Sequence, residues 1–404
     1  MISRIKFVVV ISSTFLTALL VIGALMGESS SADGAYRQLS VYTEVLSRIK
    51  SDYVEEPDIK LVTRGALQGL LESLDPYSSY LTPEQYKEYE KRKVGQEGGL
   101  GLVISKRFGV VFILATLPGS PAAKAGLQVA DQLEAVDGKP TRDLPLPLTQ
   151  ASLDGHVGSS VTLVVRRGRR AEEPQELTLT RTPIAIPTVA YRLMDDKVGY
   201  LEVKALTPGK AAEVARAVRE LTEQGAERLV LDLRSNALGD QREAVKLANL
   251  FIDNGLLVYL EGQKYPRKEF TADARQTISN LPLVVITNRA TAGAAELAAA
   301  AILDRRRGQI VGEKTFGLGA EQKTIAMDDG SALILSVAKY YRPSGKAIQD
   351  GGINPTLLVS EAEADLASND SAPAAPNQPE RPSQTDELLK KAIEVVKGAI
   401  ARAA

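Results

Sequence analysis

The chain of 404 residues contains no cysteine and only one histidine. Without cysteine there is no disulfide framework, no thiolate nucleophile and no cysteine-ligated metal site. A single histidine, His156, excludes sites built from several histidines, and its turn sequence DGHVGSS predicts a solvated side chain. Phosphate-binding loops and dinucleotide fingerprints are also missing. We therefore expect neither a metal nor a cofactor.

Charge of one sign is also lacking, since the formal net charge is -1. A balanced chain is not expected to bind nucleic acid or acidic polymers, because those partners attract strongly basic surfaces. The length is sufficient for two or three domains with apolar cores of their own.

The N-terminus carries the longest apolar run. Arg4 and Lys6 precede residues 7–26, which contain no charged side chain. This length is just enough to cross a bilayer, and the basic flank predicts that the first residues stay in the cytoplasm. We interpret residues 1–27 as an uncleaved signal-anchor of a single-pass inner-membrane protein, with its body in the periplasm or outside the cell. The alternative is a signal peptide removed near Ala32.

Three patterns divide the exported part of the chain. Apolar residues recur with helical spacing over residues 36–93, which predicts a helical N-terminal region. Strand-like runs bounded by turns follow over residues 94–183 and predict a small β-rich module. Residues 184–362 alternate strand-like and helix-like segments, a pattern typical of an α/β core.

The C-terminal part has two segments. Residues 363–386 are rich in alanine, serine, asparagine, proline and acidic residues, which predicts a flexible linker. Residues 387–404 have the apolar spacing of an amphipathic helix, and we expect this helix to pack on a protein surface.

The β-rich module resembles bacterial PDZ domains in its GSPAAKAGL and VDGK sequences, although Ala130 stands where such domains usually have glycine. The successive N–H groups of Gly98, Gly99, Leu100 and Gly101 can form a nest for a terminal carboxylate. A bound peptide would then add as a strand beside the segment that contains Leu102. The alternative is a tight hairpin without a ligand.

The run VVITNRATAGAAELAAAAILDRRRGQIVGEKTFGLGAEQ resembles the core of the C-terminal processing peptidases, also called tail-specific proteases. LDPYSSYL, LDLRSN and AKYYRPSGKAIQDGGI carry the same resemblance. It implies an α+β multidomain protein: a helical N-terminal region, a PDZ-like β-rich domain and an α/β peptidase core of the ClpP/crotonase-like type.

The resemblance implies a serine–lysine dyad, but this chain departs from it. The nucleophile position is occupied by Gly293 and the lysine position by Leu318. Gly293 has no side chain to attack a carbonyl and Leu318 cannot accept a proton. The glutamine that orients the lysine in relatives is retained as Gln322.

The turn that would bind the oxyanion departs as well. The family pattern Leu-Asp-Leu-Arg-x-Asn-Pro-Gly-Gly reads LDLRSNALG here, which places Leu238 and Gly239 at its end. We expect Leu238 to be unfavourable wherever the turn needs a positive φ. Glu296, early in the helix after the nucleophile position, suits the helix dipole. Asp304, near the end of that helix, is expected to pair with the adjacent arginines.

Three hypotheses follow. The first is a membrane-anchored pseudoprotease that binds unfolded peptides or protein C-termini and scaffolds or regulates a partner, such as an active paralogue. The second is an active endopeptidase that uses Thr291 as nucleophile and Lys314 as base. The third is a purely structural role without peptide binding. The family resemblance further implies assembly into homo- or hetero-oligomers.

Overall fold

A computed structural model describes residues 32–93, 97–167, 173–360 and 386–398. The predicted membrane segment 7–26 and nearly all of the predicted linker 363–386 lie outside these ranges. Within them, no helix combines the length and apolar character that a membrane span requires. The chain divides into two compact units between Ala66 and Leu67.

The described residues form the following α-helices and strands. The α-helices are α1 (Ala32–Asp52), α2 (Ile59–Glu72), α3 (Pro83–Lys93), α4 (Pro121–Lys124), α5 (Leu146–Leu153), α6 (Lys210–Glu223), α7 (Gln241–Asn249), α8 (Ala294–Asp304) and α9 (Glu387–Gly398). The strands are β1 (Ser79–Leu81), β2 (Leu102–Arg107), β3 (Val110–Thr116), β4 (Gln132–Val136), β5 (Lys139–Pro140), β6 (Ser160–Arg166), β7 (Gln175–Thr180), β8 (Ala190–Met194), β9 (Val198–Glu202), β10 (Arg228–Asp232), β11 (Leu256–Gly262), β12 (Tyr265–Thr271), β13 (Leu283–Thr287), β14 (Gln309–Gly312), β15 (Ala320–Ala326), β16 (Ala332–Tyr341) and β17 (Leu357–Leu358).

The β-rich module is an antiparallel sheet in the order β2-β3-β4-β6-β7, with β5 beside β4. Alternate residues of its strands point into one apolar core, in which Leu100, Ile113, Leu133 and Leu163 are fully or almost fully buried. Helix α5 packs on this sheet. Strand β2 lies at one end of the sheet, which leaves one of its edges without a neighbouring strand among the described residues.

The α/β core is built on a six-stranded sheet in the order β17-β14-β13-β10-β9-β8. All neighbouring strands in it are parallel except β8, which is antiparallel to β9. The central strands RLVLD and LVVIT are almost entirely buried, as expected for parallel strands covered on both faces. One face packs against the apolar cluster that includes α6, α7 and α8, and the other face packs against α9.

The third sheet has the order β1-β16-β11-β12, with β15 also paired to β16. Because β1 belongs to the LDPYSSYL segment, this sheet joins the start of the second unit to its C-terminal strands. Together the three sheets and their helices confirm the predicted α+β multidomain class, and they bring the carboxyl ends of β10 and β13 to one edge.

Candidate active site

A sharp turn between β13 and α8 forms the centre of the candidate site. Gly293, the predicted nucleophile position, directly precedes α8 and has φ 60° and ψ −121°. A strand–turn–helix of this kind carries the nucleophile of other hydrolases in a strained conformation. Glycine adopts it without strain. The predicted nucleophile position therefore lies on a sharp turn, but the residue on it has no side chain.

The two positions predicted for the dyad lie next to each other. A Cβ built on Gly293 would lie 3.7 Å from Cδ2 of Leu318. Leu318 instead packs, together with Phe316, against the apolar core of the β-rich module. The retained Gln322 donates from Nε2 to the carbonyl oxygen of Tyr77 at 2.9 Å. The predicted base position is thus an apolar contact between the module and the α/β core.

Glu296 holds the two halves of the site together. It is fully buried, and its carboxylate accepts hydrogen bonds from the N–H groups of Gly293 (3.0 Å), Gly317 (2.7 Å) and Leu318 (2.7 Å). One side chain therefore fixes both the nucleophile turn and the loop of the base position. The sequence indicated its favourable place in the helix but not the contacts with Gly317 and Leu318, which lie 21 and 22 positions away.

A fourth donor completes the environment of Glu296. The Thr315 hydroxyl accepts from the N–H of Ile353 at 2.7 Å, so its own proton is directed to the Glu296 carboxylate. Burial raises the pKa of Glu296 to about 7, although the hydrogen bonds from the Thr315 hydroxyl and the backbone N–H groups lower this pKa. The candidate site therefore contains a buried carboxyl group that titrates near neutral pH.

The turn after β10 differs from the expectation for Leu238. The residue with positive φ in this turn is Ser235 (φ 55°), and Leu238 lies outside the left-handed region. Leu238 is held by its carbonyl, which accepts from the N–H of Leu206 at 2.8 Å. The expected backbone penalty therefore does not arise at Leu238, because the residue with positive φ lies three positions earlier.

Two backbone donors remain beside the vacated nucleophile position. A Cβ on Gly239 would lie 2.9 Å from the Cβ of Ala294, so the two residues are in contact. Among the described residues, no acceptor is found for the N–H of Gly239 or of Ala294. Paired N–H groups next to a nucleophile are what an oxyanion site requires. Gly239 and Ala294 are therefore candidate donors to an oxyanion.

Thr291 and Lys314 do not lie in comparable environments. Thr291 is fully buried, and its Oγ1 donates to the carbonyl of Leu233 at 2.9 Å and accepts from the N–H of Asn288 at 3.0 Å. Lys314 lies exposed on the surface. In the part of the chain that the structure describes, no cluster of three or more histidine, aspartate or glutamate side chains could hold a metal.

The first two N–H groups of the predicted carboxylate nest already have acceptors within the protein. The N–H of Gly98 donates to the carbonyl of Gly155 at 2.9 Å, and that of Gly99 donates to the carbonyl of Thr182 at 2.9 Å. These N–H groups are therefore not available to a ligand, because they join the segment to the rest of its own module.

The next positions keep the features of a peptide groove. Within the described ranges, the N–H groups of Leu100 and Gly101 have no acceptor. Gly101 has φ 72°, and a Cβ on it would lie 2.3 Å from the Cβ of Ser120, so glycine is required there. Leu102 starts the edge strand β2, and its carbonyl accepts a long bond of 3.4 Å from Nε2 of Gln150. A ligand strand that pairs with Leu102 would have to displace this contact.

Comparisons with known proteins agree with this architecture. Residues 197–359 match the model of peptidase family S41, and residues 112–167 match a PDZ domain. The photosystem II D1 C-terminal processing protease is similar in structure, with a TM-score of 0.65 and 28% sequence identity over 79% of this chain and 92% of that one.

Curated relatives cover most of the chain. The carboxy-terminal-processing protease of Bartonella bacilliformis is 30% identical over 361 residues, which are 88% of this chain and 83% of that protein. The carboxy-terminal processing protease CtpA of Bacillus subtilis is 31% identical over 88% of this chain and 76% of its own length. The Synechocystis carboxyl-terminal-processing protease is 36% identical over 78% of this chain and 75% of its own length. The chain therefore belongs to peptidase family S41, among the carboxy-terminal-processing proteases.

Proposed function

We propose that this protein is an exported, membrane-anchored pseudoprotease that binds peptides or protein C-termini without cleaving them. The observation that carries the proposal is the pair Gly293 and Leu318: a Cβ built on Gly293 would lie 3.7 Å from Cδ2 of Leu318, and Glu296 accepts hydrogen bonds from the N–H groups of both residues. Neither residue can attack a carbonyl or accept a proton. The bound peptides would belong to partner proteins or to unfolded chains.

The proposal also includes membrane anchoring and assembly with other chains. Residues 7–26 would hold the protein in the inner membrane, with the body in the periplasm or outside the cell. In that position it would scaffold or regulate a partner such as an active paralogue, as a homo- or hetero-oligomer. Loss of the protein would then change the processing of the partner's substrates without removing a protease.

The competing proposal, an active endopeptidase with Thr291 as nucleophile, has less support. A nucleophile must reach its substrate with a base beside it. The Thr291 hydroxyl is buried and already makes hydrogen bonds within its own turn, while Lys314 is exposed on the surface.

Binding of a free carboxylate is the first expected result. A peptide that ends in small apolar residues should bind at least about tenfold more tightly than its C-terminal amide, because the amide lacks the charge that the N–H groups of Leu100 and Gly101 would meet. Titration calorimetry of both peptides against the purified protein measures this ratio. Equal affinities would contradict recognition of C-termini, and no binding of either peptide would favour the purely structural role.

A further inference from the structure

Helix α9 covers the second face of the core sheet. Its buried side chains Leu388, Leu389, Ala392 and Val396 pack on apolar residues of the central strands (Tyr200, Val230, Val284, Ile286 and Val311). Without the helix this apolar face would be exposed to water, so burial of its surface is the main driving force for docking. In sequence, residues 359–386 separate β17 from α9.

Asp386, immediately before α9, has two functions. Its Oδ1 accepts from the N–H of Leu389 at 3.0 Å, which caps the helix. Both carboxylate oxygens also accept from the guanidinium of Arg234, at 3.0 Å from Nη1 and 2.6 Å from Nη2. Although burial raises the pKa of Asp386, the hydrogen bonds from Arg234 and Leu389 hold it below its usual value. The pair is thus a charged, bidentate contact.

The other side of the Arg234 guanidinium is held by Asp232. This fully buried carboxylate at the end of β10 accepts from Nε of Arg234 at 2.9 and 3.0 Å and from Nη2 at 2.5 Å. The hydroxyl of Tyr200 donates to the same carboxylate at 2.9 Å. Arg234 is therefore held from two sides, by Asp232 and by Asp386, and its side chain is only 16% exposed.

Arg234 also starts the loop that reaches the vacated nucleophile position. The next residue, Ser235, donates its N–H to Oδ1 of Asn288 at 3.0 Å. The carbonyl of Asn236 accepts from the N–H of Ala292 at 2.9 Å. Residues 234–239 are thus bonded to the turn before α8, and they end at Gly239 in contact with Ala294.

We infer that the docked helix α9 positions residues 234–239 at the vacated active site through the contact between Asp386 and Arg234. Arg234 and Asp386 are positioning residues, because they touch neither the nucleophile position nor its N–H donors. A continuous path of short contacts leads from the cap of α9 to Gly239, and every member of it is partly or fully buried except Gly239. The inference does not depend on whether the protein cleaves peptides.

Amide hydrogen exchange of the full chain separates this coupling from general stability. Asp386→Asn keeps the helix cap, since asparagine caps as well as aspartate, but removes the charge of the contact with Arg234. We expect residues 387–398 to stay protected while residues 234–240 exchange about tenfold faster. Asp386→Ala, which loses both functions, should accelerate exchange in both segments.

Lys397→Ala is the matched control. Lys397 pairs with Asp196 at the far end of the same helix, and both side chains are substantially exposed. This variant removes an ion pair from α9 without touching Arg234, so residues 234–240 should exchange as in the unmodified protein. Equal acceleration in the control would overturn the inference. So would unchanged exchange of residues 234–240 in Asp386→Asn and Asp386→Ala.

Discussion

The double variant Gly293→Ser with Leu318→Lys is expected to acquire peptidase activity at least about 100-fold above that of the unmodified protein. The two positions already face each other, and Glu296 holds both backbones in place. A lysine in the place of Leu318 would lie against the apolar core of the PDZ domain. Such a setting lowers the pKa of an amine and favours the neutral form that a base requires.

The two single variants are the controls for this gain. Because nucleophile and base act as a unit, Gly293→Ser and Leu318→Lys alone should each remain as inactive as the unmodified protein. Cleavage of an unfolded protein, followed by mass spectrometry, measures all four proteins together. Activity of a single variant equal to that of the double variant would contradict the assignment of the dyad positions. A folded but inactive double variant would show that the turn at Leu238 and Gly239 no longer stabilises an oxyanion.

The second large effect is expected for Glu296→Gln. Glutamine has the same shape, but it replaces one accepting oxygen by an NH₂ group that faces backbone N–H donors. A buried donor that meets other donors typically costs about 3 kcal/mol or more of unfolding free energy. Urea unfolding gives this difference. The control Glu223→Gln, on an exposed part of α6, should stay within about 0.5 kcal/mol.

The destabilisation by Glu296→Gln is expected to depend on pH. Burial raises the pKa of Glu296 from 4.5 to about 7. Between these two pH values the folded protein keeps a proton on Glu296 that the unfolded chain has lost. The contribution of this protonated group to the free energy of unfolding is therefore fully present below about pH 4.5 and is lost as the pH rises through about 7. The difference between the unmodified protein and Glu296→Gln should therefore be larger at pH 5 than at pH 8. A difference that grows toward pH 8 would mean that the four donors outweigh burial.

Much of the fold could be predicted because its signals are local. The buried strand before the nucleophile turn, the alanine-rich helix after it and the PDZ-like strands are all evident in short stretches of sequence. Ala130, which stands where PDZ domains usually have glycine, does adopt a positive φ of 72°. The backbone at this position thus keeps a conformation that favours glycine although the residue differs.

Helix α5 was not predicted, and its sequence explains why. Leu146, Leu148, Thr149, Ser152 and Leu153 are all buried, so PLPLTQASL has no polar face that would reveal helical spacing. A helix that is covered on most sides can be recognised only from the elements that cover it.

Contacts between distant segments of the chain could not be predicted from the sequence either. Asp304 was predicted to pair with the adjacent arginines, but its carboxylate accepts from Nε of Arg342 at 3.1 Å and from the N–H of Ser344 at 3.0 Å. The prediction was wrong because the adjacent arginines leave the helix end in other directions; Arg307, for example, donates to backbone carbonyls such as that of Phe251. Side-chain partners of this kind are fixed by tertiary structure.

Simultaneous measurement of binding and cleavage tests the proposed pseudoprotease most directly. Purified protein from residue 35 onward would be incubated with an unfolded protein and with a peptide that ends in small apolar residues. Calorimetry would follow binding and mass spectrometry would follow cleavage. The proposal predicts binding without cleavage, since loss of a serine nucleophile lowers kcat by about 10⁶. Cleavage that survives repurification and disappears in Thr291→Ala would contradict it and establish an active peptidase with a displaced nucleophile.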